Sequence, residues 1–222
     1  MNNKIDIKSK EFFNNELETI LFIHFDAKYY FRDVEYLTKP ETSEEKVSSQ
    51  NWTIGRIKKA FWRLGIIEMA KLFQDSRNQH FNLIDYLENL LENYTEYDWI
   101  NNLPKFKIQN WLEKLNSINF LSIRERISIQ RDNYFAHTDR NPKQELTDSQ
   151  ITFEEINSLL NLTEEIIFKL NEFCLNTHID LEIDGMEKAG NLLEMISIYS
   201  KHRELEIINR RDEYLKGRNN EA

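Results

Sequence analysis

The stretch SKEFFNNELETILFIHFDAKYYFRDVEYL, residues 9–37, decides the fold class. Phe13, Leu17, Ile20, His24, Ala27, Phe31 and Val34 recur at steps of three or four. That is the period of one helix face, whereas a half-buried strand would alternate with period two. The spacing predicts one long helix. Pro40 ends it, and the Ser, Thr, Glu and Lys residues crowding 38–50 read as an exposed loop.

The same period returns downstream. A second helix is predicted over 51–75, with Asn51 as its cap and Trp52, Ile54, Ile57, Phe61, Leu64, Ile67, Met69 and Leu72 as its apolar positions. Arg56, Lys59 and Arg63 share one face of it, either a solvated surface or a rim that grips an RNA backbone. A short amphipathic helix follows at 82–91, capped by Asn82. The aromatic stretch 93–103 is irregular, and Pro104 opens the next helix. Two helices are expected between 104 and 137, jointed near 116–121, with a stop at Asn141-Pro142. Thr152 or Asp148 caps a strong helix to about 176, with Ile156, Leu159, Leu160, Thr163, Ile166, Ile167, Leu170 and Phe173 facing inward. A last helix is expected over 186–216.

Composition agrees with an all-α chain. Only 5 Gly and 3 Pro occur in 222 residues, and 30% of residues are charged. The 14 Phe, 9 Tyr and 4 Trp supply enough apolar area for a sizeable core without staples. Cys174, the single cysteine, lies between Phe173 and Leu175 and reads as a small core residue. The N-terminus lacks the apolar stretch of a signal peptide, and no window approaches the roughly 18 apolar residues of a membrane span. The expected compartment is therefore the cytoplasm, with no membrane partner. A net charge of −9 argues against a protein that coats nucleic acid, while leaving room for a small groove that grips a short RNA.

The segment with chemistry in it is Arg131-Asp132-Asn133-Tyr134-Phe135-Ala136-His137, at the end of a predicted helix. On regular α geometry Arg131 and His137 stand about 120° apart around the axis and ~9 Å apart along it. That is the wrong arrangement for a two-ligand metal site, and no metal or other cofactor is expected. Arg124 shares the face of Arg131, while Gln130, Asn133 and Tyr134 lie toward His137. Such a set suits RNA cleavage by internal attack of the 2′-hydroxyl. Histidine moves protons near neutral pH, and arginine holds the phosphate and the charge that builds there. On spacing alone a plainer reading stands beside it: Arg131 pairs with an acidic neighbour, and His137 caps the helix C-terminus.

Arg131-Asp132-Asn133-Tyr134-Phe135-Ala136-His137-Thr138-Asp139 resembles the Arg-x(4–6)-His signature of the HEPN superfamily (higher eukaryotes and prokaryotes nucleotide-binding). The Ala-His-Thr-Asp ending is similar to the abortive-infection AbiU-type branch. So are Trp52-Thr53-Ile54-Gly55-Arg56, the run ending Lys71-Leu72-Phe73, and Asn82-Leu83. The resemblance covers residues 10–175. It implies an all-α bundle of long antiparallel helices over 1–177, followed by a C-terminal helical extension over 178–222. It also implies a homodimer that joins two motifs into one cleft, and metal-independent endoribonuclease activity in phage defence or toxin–antitoxin systems, where an antitoxin protein is a further partner. The catalytic residues carried over are Arg131, Asp132 and His137, with Asn133, Tyr134 and Arg124 expected to contact RNA. Because Asp139 stands where some such toxins carry a nucleotidylated tyrosine, that regulation is not expected. Non-catalytic members exist, so a nucleotide- or RNA-binding or scaffolding module is the alternative. His24, on the apolar face of the first helix, reads as a hydrogen-bonded core or dimer-seam residue. His80, His178 and His202 have no partner at ligand spacing, and Arg203, Arg210 and Arg211 lend the last helix some basic character.

Overall fold

The computed structural model describes residues 10–40, 42–74, 82–100, 102–132, 149–175 and 190–220. Among them the regular structure is helical throughout and no strand occurs. Eight α-helices are described: α1 (Lys10–Thr38), α2 (Ser43–Ser49), α3 (Trp52–Phe73), α4 (Leu83–Glu92), α5 (Lys105–Leu115), α6 (Ile118–Ile129), α7 (Phe153–Leu170) and α8 (Gly190–Asn220). Two single 3₁₀ turns, Tyr94–Glu96 and Asp98–Ile100, fill the irregular aromatic stretch. Among the described residues no helix is long and apolar enough to cross a membrane.

The chain divides into two compact units, residues 1–31 with 61–182 and residues 32–60 with 183–222. The first holds the main core. The face read in α1 is the face buried, with Phe13, Leu17, Ile20, His24, Ala27 and Phe31 all inside. Phe13 meets Trp99 edge-on at 4.7 Å, and its carbonyl accepts the Tyr86 hydroxyl at 3.0 Å, which ties α1 to α4. Burial holds that hydroxyl well above the usual tyrosine range. Trp111 of α5 is buried, and its indole N–H donates to Glu165 of α7 at 3.3 Å. α4 packs on α5, and α5 and α7 each pack on α6.

Caps set the helix starts. The Asn51 side chain accepts from the Thr53 backbone N–H at 2.8 Å, and that of Asn82 from Ile84 at 2.9 Å. Thr152 and Glu155 form a reciprocal capping box at the start of α7. Arg126 of α6 then clamps Glu155 with two bonds, at 2.6 and 3.1 Å, joining the two helices. The inward face read for α7 is buried from Ile156 to Leu170, and Phe173 is half-buried. Past Leu170 the helix widens into a π turn, Asn171–Leu175, where the Asn171 amide donates to the Ile167 carbonyl at 2.9 Å.

In the second unit Val34, Leu37, Ile54 and Leu193 are buried, and α2 packs on α8. α2 occupies part of the stretch read as a loop. Its start is a capping box in which Thr42 accepts from Glu45 N–H and the Glu45 carboxylate accepts from Thr42 N–H. The Tyr36 hydroxyl donates to the same carboxylate at 3.1 Å. α3 also departs from its reading. Trp52 is 74% exposed and Leu64 is exposed, whereas Ile66 and Ala70 are buried with Met69 and Leu72. Trp52 instead lies under the Arg56 guanidinium, 4.7 Å from the ring centre.

Candidate functional site

The site grows from the end of α6. After Ile129 the helix does not stop but loosens into a π turn over residues 130–132, where the intrahelical bond spans one residue more than in an α-helix. Gln130 is 2% exposed and anchors this turn. Its side-chain oxygen accepts the Trp62 indole N–H at 2.9 Å, and its amide nitrogen donates to the Ser149 carbonyl at 2.6 Å. Trp62 is held in turn between Phe31 and Phe153, edge-on to each at 5.2 and 5.6 Å. The backbone carrying Arg131 is thus fixed by a buried amide whose two partners lie on other segments.

Arg131 and Asp132 meet. Arg131 Nη1 donates to Asp132 Oδ1 at 2.8 Å, with side chains 34% and 43% exposed. Successive residues on a regular helix do not face one another, so this contact needs help. It comes from Gln74, the residue after α3. The Gln74 Oε1 accepts from Arg131 Nη1 at 2.8 Å, and Gln74 Nε2 donates to Asp132 Oδ2 at 2.7 Å. The three side chains close a ring of hydrogen bonds that remains open to solvent on one side. Arginine held this way can bind an anion, and a paired carboxylate can orient it.

Arg124 takes a different place. Its Nη1 donates to the Leu115 carbonyl at 3.0 Å and to Asn116 Oδ1 at 3.3 Å, fastening the joint between α5 and α6. Burial lowers its affinity for the proton, with Glu125 and Glu88 acting the other way. Among the described residues it makes no contact with Arg131. Asn133, Tyr134 and His137 lie outside the described residues, as do His80 and His178. Arg56, Lys59 and Arg63 are all exposed, and so are His202, Arg203, Arg210 and Arg211 on α8.

His24 is fully buried. Its Nε2–H donates to Glu164 Oε2 at 3.2 Å, and Lys28 reaches the same oxygen. These bonds hold the Glu164 carboxyl down at about 2. The cluster joins α1 to α7 within the core, so His24 is a hydrogen-bonded core residue. The sequence places Gln130 on the His137 side of the helix but does not single out Gln74 or Trp62. Nothing local marks them, because their role rests on pairings far apart in the chain.

Compared with known proteins, the chain matches no family model, no curated protein and no solved structure.

Proposed function

We propose that the chain is a metal-independent endoribonuclease of a phage-defence or toxin–antitoxin system. The observation that carries this reading is the Arg131–Asp132 pair at the end of α6, half-open to solvent on an all-helical framework. The signature-like spacing to His137, with its resemblance to the HEPN superfamily, supplies the other half. Arg131 clamps the phosphate, Asp132 orients the guanidinium, and His137 moves the proton. The 2′-oxygen bonds to phosphorus, the bond to the 5′-oxygen breaks, and a 2′,3′-cyclic phosphate remains. In this reading two copies of the chain bring their motifs into one cleft, in the cytoplasm.

The test is cleavage of end-labelled RNA by purified protein in excess EDTA, beside His137→Ala and Arg131→Ala proteins. Cleavage by the parent alone, leaving cyclic phosphate ends, is the expected result. If all three proteins bind RNA and none cuts it, the chain is a binding module and the nuclease reading is wrong.

A further inference from the structure

We infer that Gln74 is a positioning residue that decides which edge of the Arg131 guanidinium receives the phosphate. The inference rests on the reading of Arg131 as the phosphate clamp. Arginine is a donor only, and an ionised aspartate an acceptor only. A side chain that serves both must offer one acceptor and one donor at the same tip. Gln74 does this, with Oε1 on Arg131 and Nε2 on Asp132. Glutamate in its place would repel Asp132, lysine would repel Arg131, and an aliphatic residue would hold neither.

The consequence is directional. Nη1 carries two hydrogens, and both are taken, one by Gln74 Oε1 and one by Asp132 Oδ1. No described residue accepts from Nη2 or Nε. Those two groups form the other edge of the fork, the parallel pair of donors that grips two oxygens of one phosphate. Gln74 has firm support for the task. Its backbone N–H donates to the Ala70 carbonyl at 2.9 Å, and Ala70, Leu72 and Phe73 are buried. The backbone next to Arg131 is held by the buried Gln130, through Trp62 and the Ser149 carbonyl. The ring therefore holds the cation at Nη1 and leaves the Nε–Nη2 edge for the substrate.

The test compares the parent with Gln74→Met, Gln74→Glu and the exchange Gln74→Glu with Asp132→Asn. The exchange keeps all three hydrogen bonds and the total charge, with carboxylate and amide traded between the two positions. Gln74→Met is expected to lower kcat/KM on RNA about 100-fold with little change in Tm, the loss typical of a misplaced catalytic group. Gln74→Glu loses as much, and the exchange recovers most of what Gln74→Glu lost, which a merely structural role would not produce.

Nitrogen-15 NMR of the Arg131 side chain provides a readout independent of activity. In the parent and the exchange protein the Nη1 protons are slow to exchange, and in Gln74→Met they are fast. Adding a 2′-O-methyl RNA oligonucleotide shifts the Nε and Nη2 signals more than those of Nη1. Gln74→Met cutting as fast as the parent, while Arg131→Ala is inactive, would overturn the positioning role and leave the nuclease standing. A parent that cuts no RNA would remove the nuclease reading. The positioning role is then decided by the NMR alone, and fast Nη1 exchange in the parent overturns it.

Discussion

Gly65 lies so close to Phe31 that a Cβ on it would stand 2.8 Å from Phe31 Cζ. The ring of Phe31 is buried, edge-on to Trp62, and has little room to retreat. α1 and α3 can approach this closely only because position 65 has no side chain. Alanine there would gain about 0.5–1 kcal/mol of helix propensity. Forcing the ring aside costs ~1–3 kcal/mol. Gly65→Ala is expected to lower Tm by several degrees, and Gly65→Leu to lower it far more, as read by thermal unfolding. A Gly65→Ala protein with a higher Tm would show that the ring yields freely.

Glu164 connects stability to acid. Its carboxyl is held at about 2, first by the bond from His24 and then by Lys28, against the opposing effect of burial. In the unfolded chain a glutamate titrates near ~4.3. A carboxyl depressed on folding stabilises the native state fully above its unfolded value, and the gain fades as pH falls toward the folded one. Glu164→Gln should therefore unfold more easily than the parent at pH 7. The gap should narrow between about pH 4.3 and about 2, as followed by urea titrations across that range. A gap independent of pH would mean that shape and not charge sets the contribution of Glu164.

Cys174 is 3% exposed, and burial pushes its thiol up to about 12. Only the thiolate attacks, so the native protein should react with a disulfide reagent at neutral pH far more slowly than a free thiol. Reaction should become complete when denaturant opens the core. Rapid labelling without denaturant would count against the packing described for the π turn after α7.

Much of the fold could be read from periodicity and caps. The face of α1, from Phe13 to Val34, is the face that is buried, and Asn51, Asn82 and Thr152 cap the helices they precede. Periodicity fails in part for α3 because Trp52 and Leu64 are apolar yet face water, while Ile66, outside the expected set, is buried. Hydrophobicity names the residues able to be buried, but the neighbouring helices decide which of them are. The exposed loop expected near 38–50 contains α2, and Thr42 with Glu45 had the spacing of a capping box all along. At the site, Arg131 and Asp132 stood out by composition. Gln74 did not, since it reaches Arg131 across 57 residues of chain. Residues 130–132 form a π turn, and His137, the other end of the expected Arg131–His137 spacing, lies outside the described residues.

The buried amide of Gln130 joins the Trp62 indole to the residue next to Arg131. Few sites come with an optical and magnetic probe already wired to their backbone. A change in the environment of that indole N–H reports, without any label, that the end of α6 has shifted. Among four tryptophans, Trp62 is thus one whose signal would register a movement of Arg131's backbone.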